Sequence, residues 1–188
     1  MTRILPKGTH RHVCSETHPG HRRHRQAGPG VSYTLLRPVR FMENYFGVGM
    51  RLDGIGGGVH RHLFPADRPV QMIAVDDIAH FAMLASTAPE RFRGHTLELA
   101  GDAITMTAAA ATLSEALGQP VRYEEMSRAQ AAALGPQIEH VWQSTREGVA
   151  WHADIDALRV IHPGPQTLRG WLDETGAAQL KAMIDAAE

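Results

Sequence analysis

Twelve histidines in 188 residues are the first chemical feature of this chain, and six of its thirteen histidine and cysteine side chains crowd one end. His10, His12, Cys14, His18, His21 and His24 have the residue types that zinc takes in a tetrahedral array. Their spacing fits no standard finger, so a His/Arg-rich arm with no resident metal is the expectation. The first 30 residues hold six Lys/Arg and one acid, a net charge of +5, against -6 for the remainder. That charge could meet phosphates, but the arm has no aromatic side chain to stack bases, and nucleic acid is not the expected partner. Asp76-Asp77 could serve as an acid pair for metal or proton transfer. At the head of a helix the same carboxylates satisfy free backbone N–H groups, so we expect Asp76 to be a cap. His80, His140 and His152 stand singly on stretches expected to be helical, where surface or packed roles are the ordinary ones. No Gly-x-Ser-x-Gly elbow is present.

The elements that would position such groups begin at residue 30. From Gly8 to Gly30 the apolar side chains are Val13, Cys14 and Ala27 alone, so no helical or strand period can be assembled, and residues 1–29 are expected to be disordered. Val31 to Leu36 is β-prone and predicts a buried strand that stops at Arg37-Pro38. Phe41 to Phe46 predicts a short helical turn, and Gly47 to Gly58, with six glycines, a long mobile loop. Val70 to Val75 predicts a second strand, followed by a helix over Asp77 to Thr87 with Ile78, Phe81, Ala82 and Ala85 on one face. Thr96 to Ala100 predicts a strand, Gly101-Asp102 a turn, and Thr105 the N-cap of a helix that Gly118 ends. Val121 to Met126 predicts a short strand, and Ile138, Val141, Trp142 and Thr145 a helix. Asp154 and Thr167 are expected caps, and Gly176 is expected to separate two last small helices. Strands followed by helices are the signature of an α/β fold.

Composition sets the remaining bounds. Hydrophobic residues are 43% and charged residues 21% of the chain, ordinary for a folded domain. One cysteine excludes an internal disulfide and suits the cytoplasm. No apolar run is long enough to span a membrane or act as a signal sequence, so no membrane partner is expected.

Four segments, taken in order, resemble the NmrA-like family of atypical short-chain dehydrogenase/reductase proteins. They are Val31 to Asn44 with its Leu36-Arg37-Pro38 and Phe41-Met42-Glu43-Asn44, then Ile73 to Ala79, then Leu97 to Gly101 with the helix ending Leu113 to Gly118, and lastly His162-Pro163-Gly164-Pro165 leading to Trp171-Leu172. The resemblance covers Gly30 to about Gly176. It implies a Rossmann-like domain that binds NADP or NAD, and a reductase of small quinone-like or related substrates, or else a non-catalytic module that senses a redox cofactor. By resemblance Pro38, Phe41 and Asn44 face the cofactor, and Phe41, Met42, Tyr45 and Phe46 face the substrate.

Two departures shape the expectation. The glycine-rich strand-to-helix turn that holds a pyrophosphate is not supplied, because Gly54-Ile55-Gly56-Gly57-Gly58 precedes His60-Arg61-His62 and Phe64-Pro65 instead of a helix. The Tyr-x-x-x-Lys pair of classical short-chain dehydrogenases is also missing, since Tyr33, Tyr45 and Tyr123 are followed at the fourth place by Arg37, Gly49 and Ser127. We therefore expect a partial Rossmann-like fold lacking its N-terminal dinucleotide-binding half, with residues 30–188 forming its C-terminal part and ending in a small helical substrate subdomain. Such a truncated chain is expected to be inactive alone, poorly soluble, and able to self-associate through an exposed strand edge.

Overall fold

The computed structural model describes residues 32–148 and 152–187. The histidine and cysteine cluster of residues 10–24 and the proposed arm lie outside the described residues. Parallel pairing of β1 (Leu35–Pro38) with β6 (Thr96–Leu99) forms one small sheet. The chain then jogs at Val39 into β2 (Arg40–Phe41), which lies parallel to β5 (Pro69–Ile73), and β5 in turn pairs antiparallel with β7 (Asp102–Thr105). A third sheet joins β3 (Ile55–Gly56) and β4 (Val59–His62) as a hairpin, with β8 (Arg122–Glu125) parallel to β4. The fold is α/β, as its strand-then-helix order predicts.

The helices pack on these sheets through two main cores. Helix α3 (Met106–Leu117) buries Met106, Ala109, Leu113 and Leu117 against Met42, Tyr45, Val70 and Met72, and the C-terminal α7 (Leu168–Trp171) and α8 (Ala177–Asp185) join the same core through Leu168, Trp171 and Leu180. Helix α1 (Val75–Thr87) turns Phe81 into a second core with Val39, Ile73, Leu99 and Leu158 of α6 (Ile155–Ile161). A smaller cluster holds α4 (Arg128–Ala133) and α5 (Pro136–Arg146) around Leu63, Met126 and Trp142, while α2 (Pro89–Phe92) follows α1. The C-terminal helices thus share the cores of the sheets within one unit, Tyr33–Glu188.

Local chemistry explains both the agreements and the corrections. Thr105, Asp154 and Thr167 accept hydrogen bonds from the backbone N–H groups of Ala108, Ala157 and Gly170, as their types predict, and Gly118 ends α3 in the left-handed region at φ 71°. Asp76 does not cap α1. The helix starts two residues earlier, at Val75 with Ala74 as its N-cap, and the Val75 N–H donates to the Glu43 carboxylate, 3.0 Å away and 32 residues distant in sequence. The first strand runs through Pro38 instead of stopping before it and is half-buried, not buried. Leu35 and Val39 donate toward β6, so alternate residues turn the Pro38 nitrogen to the opposite edge, where no ladder donor is lost. Asp102 opens a strand where a turn was expected, and the glycine-rich stretch contains the β3–β4 hairpin, turned by Gly57 and Gly58 at φ 54° and 69°. Gly176 does not separate two helices. It lies in a π-helical turn (Leu172–Gly176) between α7 and α8, where a Cβ would meet the Trp171 ring at 2.7 Å.

Candidate functional site

Beyond the carboxyl end of β2 the chain forms a 3-10 turn, Met42–Phe46, and the polar groups of the candidate site collect beside it. Strand alternation does the first part of the placement. His60 and His62, two apart on β4, share one buried face, while Arg61 between them faces outward and grips Glu124 of β8 through Nε at 3.1 Å and Nη2 at 2.9 Å. Glycine does the second part. Gly54 lies so close to the Gly47 carbonyl that no Cβ could fit, and this close approach brings Asp53 alongside the turn. Asp53 itself adopts φ 67°, the one positive value among the described non-glycine residues.

Four side chains converge on the Asp53 carboxylate. Arg40 donates to Oδ1 from Nε at 3.0 Å and also from Nη2, with its side chain only 2% exposed. His60 and His62 each direct Nε2 at Oδ1 from 3.6 Å, and Asn44 donates from Nδ2 to Oδ2 at 2.8 Å. Aromatic rings close the sides. The Arg40 guanidinium lies 4.3 Å from the Tyr45 ring centre, Tyr45 meets His60 edge-on at 4.9 Å, and His62 stacks on Phe64 at 4.2 Å. Tyr123 caps the group by donating its hydroxyl to the Phe64 carbonyl at 2.5 Å.

The electrostatics follow from burial. Taking the Asp53 carboxyl out of water would raise its pKa, but His60, His62 and Arg40 together hold it well below the usual carboxylate range. Burial pushes His60 and His62 below the ordinary histidine value, and Asp53 only partly opposes that. Burial likewise raises the Tyr45 and Tyr123 phenols. Burial works against the Arg40 charge, yet the facing Tyr45 and Asp53 leave it above its ordinary value. The cluster is therefore one anion and one cation, flanked by two neutral imidazoles. The Arg40 cation occupies the carboxylate oxygen that a metal would need, and among the described residues no group of three His, Cys, Asp or Glu is arranged to hold a metal ion.

The residues expected to form the site divide by exposure. Pro38, Phe41 and Phe46 are half-buried and Asn44 is exposed, so these four can meet a ligand. Met42 and Tyr45 are fully buried in the core on which Phe46 packs, whereas Phe41 packs on the other core. Phe46 rests on Trp171 at 5.3 Å. Arg40, Asp53, His60 and His62 were not among the sequence-derived site residues. The alternating Val59-His60-Arg61-His62-Leu63 was the available signal for the histidines, and Asp53 had none, because its place depends on the Gly47–Gly54 contact. Asp76 is exposed, whereas Asp77 is buried and ties the His162 loop, accepting from the Gln166 N–H at 2.8 Å with His162 Nε2 at 3.3 Å. His80 stacks on that same His162 ring at 4.5 Å, while His140 and His152 are exposed.

Comparison with known proteins places this arrangement. Agroclavine dehydrogenase of Claviceps fusiformis is 29% identical over 130 residues, which are 69% of this chain and 44% of the enzyme. The NADPH-dependent quinone oxidoreductase of Escherichia coli superposes with a TM-score of 0.58 at 25% identity, over 77% of this chain and 55% of that structure. The negative transcriptional regulator NmrA in complex with NAD superposes at 0.63 with 15% identity, over 81% and 55% of the two chains. The chain thus spans about half the length of the proteins it matches. The exposed Asn44 amide is a hydrogen-bonding group in the turn beyond the carboxyl end of β2, while Gly54 to Gly58 build a hairpin instead of the strand-to-helix turn that a pyrophosphate needs. The model of the NmrA-like family, an NAD(P)-binding family with reductase and dehydrogenase members, matches residues 21–161, and the chain belongs to that family.

Proposed function

We propose that this chain forms the substrate-side part of an NAD(P)H-dependent reductase of small quinone-like substrates. The observation that carries the reading is the placement of Asn44. It is an exposed amide, held by the half-buried Asp53 carboxylate and standing between the half-buried Phe41 and Phe46 in sequence, in the turn beyond the carboxyl end of β2. Ligands of open α/β sheets bind at that edge. Pro38, Phe41 and Asn44 would hold the nicotinamide, and Phe41 and Phe46 would offer flat apolar surface to a planar substrate. Met42 and Tyr45 would support Phe46 from the core it packs on, and Val39 and Ile73 would support Phe41 from the other core. When bound, a reduced nicotinamide would supply a hydride, which together with one proton from solvent water turns a quinone into its quinol. The residues of the chain bind and orient the partners and exclude water around them.

A second reading has its own support. No Tyr-x-x-x-Lys pair is present, and the structural relative NmrA is a transcriptional regulator that binds NAD. In that reading the same site senses the cofactor without turning it over. Following NADPH absorbance with a panel of benzoquinones and naphthoquinones separates the two. Quinone-dependent oxidation is the expected result, and saturable NADPH binding without turnover would favour the sensor. Absence of both would remove the proposal.

A further inference from the structure

We propose that His60 and His62 form a two-proton latch, which holds the β3–β4 hairpin against the Met42–Phe46 turn while both rings are neutral and releases it when both take up protons. Three side chains able to bear positive charge aim at one carboxylate oxygen, Asp53 Oδ1. Arg40 holds it from Nε at 3.0 Å, and the His60 and His62 Nε2 atoms stand back at 3.6 Å, beyond hydrogen-bond reach. Both ring nitrogens of His60 and Nδ1 of His62 are buried without a hydrogen bond, on residues 0% and 7% exposed. One carboxylate neutralises one cation, and Arg40 already has it. A proton on either ring would thus be a buried charge with no counter-ion of its own, and a second proton would add its twin 6.1 Å away, ring centre to ring centre. Among the described residues no other anion faces the two rings. Tyr45 of the turn meets His60 edge-on, Tyr123 of β8 lies 5.5 Å from it, and Phe64 stacks on His62. Burial pushes both phenols up and keeps them neutral. The carboxylates that act on those phenols are taken up elsewhere: Asp102 accepts from the Ala103 and Leu168 N–H groups, and Glu125 from Arg146 and the Ala66 N–H.

The segment that moves is small and separately attached. Strand β4 is joined to β8, whose flanking Arg122 and Met126 N–H groups donate to the Gly58 and His62 carbonyls at 2.9 Å, and Ile55 is the hairpin's side chain in the main core. The rest of that core, including Met42, Met72, Met106, Leu113 and Trp171, comes from other elements and can stay packed when the hairpin leaves. Opening carries Asp53 with it, because Asp53 donates its N–H to the Arg61 carbonyl at 3.0 Å, and Asn44 in the turn then loses the carboxylate that holds it. In the open form each ring titrates near its ordinary value of about 6.5, so acid favours opening twice over. Between pH 7 and pH 5 the opening equilibrium rises roughly 25-fold for each histidine and about 600-fold for the pair. The latch acts whether or not a cofactor binds.

Amide hydrogen exchange of the full chain at pH 7 and pH 5, corrected for the intrinsic rates, reads this opening. Arg122 and Met126 report the hairpin, and Val39 and Gly101, which donate to the Leu99 and Met72 carbonyls, report the other sheets. Protection at Arg122 and Met126 should fall about 600-fold from pH 7 to pH 5, through an opening that dilute urea leaves nearly unchanged. Val39 and Gly101 should be more protected at both pH values and lose protection steeply with urea, as amides that exchange through unfolding of the whole chain do. In His62→Phe, whose ring keeps an aromatic surface for Phe64, the fall at Arg122 and Met126 should shrink to about 25-fold. The urea and pH dependences are read in the native chain, so they decide the matter even where His62→Phe fails to fold. Equal protection and equal urea dependence at all four amides would mean that the histidines act on global unfolding alone, and would overturn the latch. A fall of less than about tenfold in the native chain, or an undiminished fall in His62→Phe, would overturn it as well.

Discussion

Replacing Asp53 by Asn changes one charge and almost no volume, and it isolates what the buried cluster contributes to stability. Arg40 is 2% exposed and Asp53 19%, so solvent does little to screen their pairing. Removing one partner of a buried pair leaves an uncompensated charge and typically costs about 3–5 kcal/mol. Asn retains one acceptor for Arg40, which places the expected loss at about 2–3 kcal/mol, a large share of the about 5–15 kcal/mol that holds a domain folded. Changing Arg40 to Met in the same chain removes the stranded cation. The double variant should therefore recover to within about 1 kcal/mol of the native chain, because replacing a whole buried pair by neutral groups is often nearly free. Urea denaturation followed by circular dichroism at pH 7.5 reads all four corners of this cycle, with an unchanged slope guarding the comparison. A single-variant loss below about 0.5 kcal/mol, or strictly additive effects, would refute the claim that the charges are coupled.

Further outcomes follow from neighbouring features. Burial keeps His60 and His62 neutral, among Arg40, Tyr45, Tyr123 and a single carboxylate, while in the unfolded chain both take up protons below about pH 6.5. Stability should thus be complete above that pH and fall below it by about 1.4 kcal/mol per unit for each histidine, with a further loss below about pH 4 as the unfolded chain protonates Asp53. A flat urea midpoint between pH 5 and 8 would contradict this. Gly176→Ala should cost about 1–3 kcal/mol, since its methyl would enter the Trp171 ring, and a variant melting with the native chain would show that the ring moves freely. Among the described residues β1 pairs with β6 alone, and Tyr33 beside it is 45% exposed. We expect reversible self-association through the free edge of β1, visible as a concentration-dependent sedimentation coefficient; one species at every concentration would count against it.

What the sequence made legible was what depends on neighbours along the chain. Caps at Thr105, Asp154 and Thr167 are local hydrogen bonds, and the helical stripe of α3 is a local period, so both could be read directly. Four ordered segments, from Val31 to Asn44 through to Trp171-Leu172, together carried enough of a family's pattern to identify the family. The cap of α1 was not legible, because Glu43 reaches it from another element. Asp53 was invisible for the same reason. Its role arises from a left-handed turn and a glycine contact that gather β2, β4 and the 3-10 turn around one carboxylate. His60 and His62 were within reach of sequence reasoning, but the glycines before them suggested a loop and hid the alternation of a strand.

We propose that a nicotinamide cofactor binds at Phe41 and Asn44, where the chain leaves the carboxyl end of β2. The most direct measurement is the chemical-shift response of a uniformly 15N-labelled full chain to added reduced nicotinamide mononucleotide. We predict saturable shifts in the Asn44 side-chain NH2 pair and in the backbone amides of Phe41 to Phe46, with α5 unaffected. Shifts that do not saturate, or that fall away from this turn, would contradict the account.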